Sequence, residues 1–277
     1  MENKEIDIYE KAITTKYRPS IWSKLLRAIH DYELIKPGDK ICVCISGGKD
    51  SMLLAKLFMC LEKFMKFDME VKYVVMNPGY REDTLKLIKE NLQKLNIDAE
   101  IFDTNIFAVA NSQSKSPCFL CAKMRRGALY NYAKSLGCNK IALGHHYDDV
   151  IETTLMNLLS SGSFQTMLPK LHSTNYEGME LIRPLYCIRE KDIVRFAKEF
   201  DLNFIRCACK FTEANHDGLI ESRRQEIKLL IRQLKKTMPQ VEENLFNAPN
   251  NVTLDMILGY KINGKYYSYL DKYDKEK

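Results

Sequence analysis

The sequence predicts an α/β fold, a parallel twisted sheet with helices on both faces, and three observations carry that prediction. Short runs rich in β-branched residues alternate with longer amphipathic stretches along most of the 277 residues. Such alternation builds a parallel sheet covered on both sides. One run, Lys40-Ile-Cys-Val-Cys-Ile45, stops at Ser46-Gly-Gly-Lys-Asp-Ser51 and restarts as helix from Met52 to Phe58, which reads as strand, tight turn and helix start. Further polar stretches, Met76-Asn77 and Gly144-His145, also follow strand-like runs. In open parallel sheets the carboxyl ends of the strands are where ligands sit.

Taken in order, residues up to about Lys36 read as a helical segment, and Pro37-Gly-Asp39 turns the chain into the first strand. Val71–Met76 is the second strand, Glu82–Leu95 an amphipathic helix and Asp98–Phe102 the third strand. Ser116 N-caps a helix with Pro117 at its first position, where a missing N–H costs nothing. Lys140–Gly144 is the fourth strand and Asp148–Leu159 a helix. Glu180–Pro184 is extended, Lys191–Glu199 helical, Asn203–Ile205 a short strand, and Glu221–Lys236 a long helix. Asn247–Asn251 reads as a loop before a tail rich in Tyr and Lys. The domains expected are a helical segment over 1–36, a main α/β domain over 37–236 that carries the glycine turn and the later cysteines, and a tail over 237–277.

With 45% hydrophobic residues the chain can bury one large domain. No apolar run reaches the ~18–20 residues of a membrane span, and the Met1-Glu-Asn-Lys start is not a signal peptide. These features predict a cytoplasmic protein without membrane contact. A net charge of +6 permits a polyanionic partner without demanding one. Nine cysteines in such a chain are not read as disulfides. Cys42, Cys44, Cys60, Cys138 and Cys187 read as core thiols.

The Ser46–Ser51 string is a phosphate cradle. Gly47 and Gly48 let backbone N–H groups face an anion, the helix end and Lys49 add positive charge, and the Ser46 and Ser51 hydroxyls can donate. It is too short for a Walker A loop, and it looks like the pyrophosphate-binding loop of the PP-loop ATP pyrophosphatases, which split ATP into AMP and pyrophosphate.

Cys118 and Cys121 fall three apart in the first turn of their helix, where the helix end, Lys123, Arg125 and Arg126 favour thiolates. Two thiolates cannot complete a metal site. Cys207-Ala-Cys209 supplies further candidates, for tetrahedral zinc or for a three-cysteine iron–sulfur cluster.

The motifs Ser46–Ser51, Cys118–Tyr130, Ile141–Asp149, Ile182–Leu185 and Arg189–Ile193 together resemble the tRNA 2-thiocytidine synthetases of the PP-loop superfamily. The likeness runs from about Tyr17 to Arg232. It implies an ATP-dependent tRNA sulfurtransferase with an adenine-nucleotide hydrolase-like fold, using ATP, Mg²⁺ and a [4Fe-4S] cluster held by Cys118, Cys121 and a third cysteine. The family's third ligand is the second cysteine of a Cys-x-x-Cys. Here the spacing is shorter: an alignment without a gap puts Cys207 at that motif's first cysteine, and a one-residue deletion puts Cys209 at the ligand. Cys209 is the ligand adopted, with Cys207 the alternative. The partners implied are tRNA and a sulfur donor, desulfurase-derived or free sulfide, with a homodimer possible.

The remaining site residues are Asp50 and Asp149, each either a helix cap or a contact to Mg²⁺ or pyrophosphate. Asp149 has capping-box spacing to Glu152. Met76 is expected to present backbone to adenine, Gly144 to pass close to the nucleotide, and Arg125 to link ATP with the cluster. His145 and His146 serve conformation or hydrogen bonding, or else a metal. Lys228, Arg232, Lys235 and Lys236 form a solvated or a phosphate-contacting face. The alternatives to thiocytidine synthesis are a 2-thiouridine synthetase, a cluster-free PP-loop ligase or amidotransferase, and a zinc-stapled RNA-binding module.

Overall fold

A computed structural model of the chain describes residues 7–112, 117–205 and 223–273, with backbone alone at 110–112, 117–119 and 272. Helix α1 (Ile8–Thr14), a π-helical turn (Arg18–Trp22) and α2 (Ser23–Asp31) precede the sheet. Then come β1 (Lys40–Ile45), α3 (Lys49–Phe64), β2 (Glu70–Asn77), α4 (Glu82–Lys94), β3 (Glu100–Asp103), α5 (Ile106–Ser112), α6 (Pro117–Ser135), β4 (Lys140–Ala142) and α7 (Tyr147–Ser161). β5 (Lys170–His172), β6 (Glu180–Ile182) and α8 (Glu190–Glu199) complete this part. After them stand α9 (Arg223–Thr237), α10 (Val241–Asn247), a hairpin of β7 (Gly259–Ile262) and β8 (Lys265–Ser268), and α11 (Leu270–Tyr273).

The six-stranded sheet runs β3-β2-β1-β4-β6-β5. Every pairing is parallel except β5 with β6. β1 is buried from Ile41 to Ile45, which is why its sequence is an unbroken apolar run. Its two faces serve different layers. Cys42 and Cys44 join Tyr130 and Ala133 of α6 and Ile141 and Leu181 of the sheet in one core cluster. Side chains alternate along a strand, so Ile41, Val43 and Ile45 point to the opposite face. α3, with ten buried residues, packs against β1 and β2. Cys42, Cys44, Cys60 and Cys138 are buried and Cys187 is half-buried, as core thiols should be.

The first strand and its loop follow the sequence reading closely. The departures have local causes. Residues 203–205 form no strand, because the Asn203 carbonyl accepts the side-chain amide of Asn91 on α4 (2.7 Å) rather than a ladder N–H. Residues 247–251 are not a plain loop: α10 runs to Asn247 and a 3₁₀ turn covers Ala248–Asn250. α5, the antiparallel edge strand β5 and the tail hairpin are additions. Two compact units emerge, Met1–Val150 with Met167–Glu221 and Ile151–Thr166 with Ser222–Lys277. Among the described residues no helix is long and apolar enough to cross a membrane.

Candidate active site

In the sheet order, β1 has β2 on one side and β4 on the other. The connections leaving β1 and β4 therefore depart to either side of a crevice, the switch point where open sheets bind ligands. The Ser46–Ser51 turn and the Leu143–His146 segment are those two connections.

The chain turns within Ser46, Gly47 and Gly48, with Gly47 at φ +83° and Gly48 extended as the N-cap of α3. No side chain caps α3. The first N–H groups of this 16-residue helix are thus left for an anion, and the helix dipole favours one there. Ser51 holds the turn in shape. Its Oγ donates to the Gly48 carbonyl (2.9 Å) and accepts the Ser46 N–H (3.0 Å). A hydroxyl has one proton. The Ser46 hydroxyl lies 3.1 Å from Ser51 Oγ, so both hydroxyls have partners within the turn, and Ser46, exposed at its mouth, can rotate from that partner toward a phosphate.

Lys49 Nζ lies 3.1 Å from both Asp50 Oδ2 and Glu190 Oε1. Burial works against its charge, but the two carboxylates outweigh burial and its pKa ends raised. Asp50 is pushed up by burial, against the pull of His146 and Lys49. Its Oδ1 is buried without a hydrogen bond, with His146 Nε2 3.7 Å away. An orphaned, desolvated carboxylate oxygen facing a phosphate loop fits a Mg²⁺ ligand.

The start of α7 is capped three residues earlier than the sequence spacing indicated. Asp149 Oδ2 accepts the His146 N–H (2.9 Å), and His146 Nδ1 accepts the Asp149 N–H (3.4 Å). That is a reciprocal capping box with histidine as the cap. Glu152 instead pairs with Arg224 (3.2 Å). Asp148 accepts from Arg189 Nη2 (3.0 Å) and from the Glu190 N–H (2.7 Å). It thereby pins the start of α8 and delivers Glu190 to Lys49. Glu190 stands in a motif the sequence reading quoted, but nothing in the spacing pointed to its lysine partner. Tyr80, whose hydroxyl donates to the Ser46 carbonyl (3.3 Å), was likewise unforeseen.

A cavity of about 420 Å³ opens at the crevice. Ser46, Asp50 and Ser51 of the turn, Cys44, Ile45, Met76, Ile141 and Leu143 at the strand ends, and Gly144, His145 and Asp149 line it. Ala122, Arg125, Arg126 and Leu129 supply the α6 wall. Their spacing marks one helix face. Of the expected site residues, Ser46, Asp50, Ser51, Met76, Arg125, Gly144 and Asp149 thus share one cavity. Gly47, Gly48 and Lys49 do not line it, and Lys49 turns to Glu190 instead. Gly144 makes a close approach to the protein's own turn: a Cβ there would lie 3.1 Å from the Asp50 carbonyl carbon and 3.1 Å from the Ser51 nitrogen.

Cys121 is half-buried on α6, next to Ala122 and one turn before Arg125. Metal ligation requires a deprotonated thiol. Burial pushes Cys60 up to about 12 and Cys187 up to about 11, and hydrogen bonding with Cys42 together with burial pushes Cys138 up. Cys121 stands instead on the helix that forms one wall of the cavity. Position 118 lies on the same helix, its side chain outside the described set, and Cys207 and Cys209 lie outside the described residues altogether.

What this geometry defines is a nucleotide-binding α/β protein of the PP-loop class, with its phosphate turn at the switch point of the sheet. The PP-loop domain family matches residues 18–215. A tRNA-cytidine(32) 2-sulfurtransferase of Aliivibrio fischeri is 36% identical over 228 residues, covering 81% of this chain and 72% of the relative. One from Aeromonas hydrophila is 33% identical over 264 residues, covering 93% and 84%. Among solved structures, the U34-tRNA thiolase NcsA from Methanococcus maripaludis, solved with its [4Fe-4S] cluster, shares the fold at a TM-score of 0.64 and 21% identity, covering 87% of this chain and 80% of the other. The chain belongs to the tRNA-cytidine 2-sulfurtransferase family of PP-loop proteins.

Proposed function

We propose that this protein replaces the C2 oxygen of a tRNA cytidine, position 32 by its relatives' specificity, with sulfur at the expense of ATP. The observation that supports it best is the shared cavity: an uncapped helix start, an orphaned carboxylate and the cysteine-bearing α6 meet around it. The α3 N–H groups and Ser46 bind the pyrophosphate end of ATP. Met76 and the apolar strand ends take the adenine. Asp50 and Asp149 would hold Mg²⁺, which neutralises charge on the departing pyrophosphate. Lys49, released from Glu190 when phosphate arrives, adds its charge to the same leaving group. The target base is stacked in the anticodon loop and must be extruded to react. The cavity wall orients its C2 oxygen toward the α-phosphorus, so the oxygen bonds to phosphorus as the bond to pyrophosphate breaks. Incoming sulfur then displaces AMP from C2. Cys118, Cys121 and Cys209 would hold a [4Fe-4S] cluster, which supplies the sulfide from a desulfurase-derived or free source. Arg125, one turn after Cys121 and lining the cavity, would link the cysteine-bearing turn to the nucleotide.

The test is anaerobic incubation of the full chain with ATP, Mg²⁺, sulfide and tRNA. AMP release dependent on tRNA and 2-thiocytidine by mass spectrometry are expected. Cys121→Ser is expected to lower thiolation at least 100-fold while ATP affinity stays within about twofold, since the cysteine lies outside the phosphate turn. Thiolation that survives this change, or sulfur appearing only in uridine, would overturn the proposal.

A further inference from the structure

Several cations in the first unit are matched to acids. Lys56 meets Asp7 and Glu10, Lys140 meets Asp39 and Glu180, Lys49 meets Asp50 and Glu190, and Arg189 meets Asp148. Arg126 and Arg183, like Arg125, form no ion pair among the described residues. Arg126 is exposed and lines the cavity from α6. Arg183 follows β6 directly and is half-buried. One of its terminal N–H groups donates to the Leu168 carbonyl, while its Nε is sealed from solvent without a hydrogen-bond partner. Both guanidinium groups act on Tyr130, which lies one turn beyond Arg126 and stacks on Tyr176 at 4.8 Å. Burial and the like charge of Arg126 pull the Arg183 guanidinium down to about 10. Asp149 acts favourably on Arg183, but it is the carboxylate assigned above to Mg²⁺; two guanidinium groups near each other are then relieved by a further anion.

The ATP phosphates are not that anion. Their turn follows β1, and Arg183 follows β6, two strands away. At ~4.8 Å per strand spacing that is roughly 10 Å of lateral offset. A phosphodiester flanking a nucleotide whose base sits at the α-phosphate falls within that range. Arginine also suits a phosphate better than lysine does, because its planar fork donates two parallel N–H bonds. We propose that Arg126 and Arg183 form the seat for the RNA backbone phosphate beside the nucleotide drawn into the cavity. The seat rests on the tRNA reading above and adds to it the side from which the strand is gripped. Phosphate contacts of this kind set register and orientation rather than sequence.

The test compares the full chain with Arg126→Ala and Arg183→Lys, measuring tRNA affinity across a salt series, ATP affinity by calorimetry and folding by circular dichroism. Arg126→Ala, at an exposed position, is expected to fold, to weaken tRNA binding about tenfold and to reduce the salt slope by about 1. Arg183→Lys keeps the charge but loses the fork; it is expected to weaken tRNA binding several-fold with the slope unchanged. Arg183→Lys should bind ATP within about twofold of the unaltered chain. Folded variants with unchanged tRNA affinity would overturn the seat. So would a fall in ATP affinity with tRNA binding intact, which would assign the arginines to the nucleotide. Failure of the unaltered chain to bind tRNA would instead sink the thiolation reading, and the seat with it.

Discussion

At Gly47 the backbone takes φ +83°, and a Cβ there would come within 2.7 Å of the Ile88 side chain and 2.9 Å of Ile205. A left-handed conformation costs an L-residue roughly 1–2 kcal/mol before any clash is counted. Gly47→Ala is therefore expected to lose at least about 1–2 kcal/mol in urea unfolding and at least tenfold in ATP affinity, because the turn must shift off Ile88. Near-native values in both measurements would show that the turn tolerates reshaping. Gly144 lies against the same turn from the β4 side, so the turn is fixed from two directions. Residues of this kind were legible because their neighbours are contiguous: strand, glycines and helix start lie within a dozen positions. Glu190 was not legible as a site residue. Its partner Lys49 is distant in sequence, and pairing across the crevice leaves no periodic trace.

Among the elements, the π-helical turn at Arg18–Trp22 is tied to α8 by a single buried phenol. The Tyr17 hydroxyl donates to Glu199 Oε2 (2.6 Å), while Lys16 pairs with the same carboxylate and the Arg195 guanidinium covers the Tyr17 ring at 5.0 Å. Burial and the Glu199 hydrogen bond push the Tyr17 phenol up to about 12. The folded state thus holds this proton more tightly than the unfolded chain, whose phenol titrates near 10. The stabilisation is whole below pH 10 and fades as pH rises toward 12. Tyr17→Phe is expected to cost about 1 kcal/mol at pH 9, the partner carboxylate being partly exposed. The gap in melting temperature between the two proteins should close between pH 10 and 12. A gap constant across that range would contradict the assignment. The elements also mark how far local pattern reaches. β1, α3, β2 and α4 carry their own periodicity and were readable. β5 has three residues with Lys170 and His172 at its ends, so it reads as loop and acts as a charged edge strand. The α7 cap was misplaced because a histidine does the work usually given to serine or aspartate, and its spacing competes with that of Asp149 and Glu152.

For the whole molecule, charge and burial are divided unevenly between the two units. Residues 222–277 hold eleven Lys and Arg against seven Asp and Glu, which is most of the net charge in a fifth of the chain. They hold little core. α9 buries only Ile227 and Ile231, and α10 only Val241, whereas α3 alone buries ten residues. Met256, Leu258, Leu270 and Tyr273 in the tail are more than half exposed. Burial of apolar area is the main source of stability, so a segment this poor in it opens at lower free energy. Native-state hydrogen exchange is therefore expected to show amides of α9 and of the β7–β8 hairpin exchanging through openings several kcal/mol below those of β1 and α3. ATP should slow exchange in the turn and first turn of α3 and leave the hairpin unchanged, because a ligand protects only what it binds or must open to leave. Equal protection across both units would show that the chain unfolds as one cooperative body. Protection of the hairpin by tRNA but not by ATP would place its Tyr and Lys residues on the RNA side of the reaction.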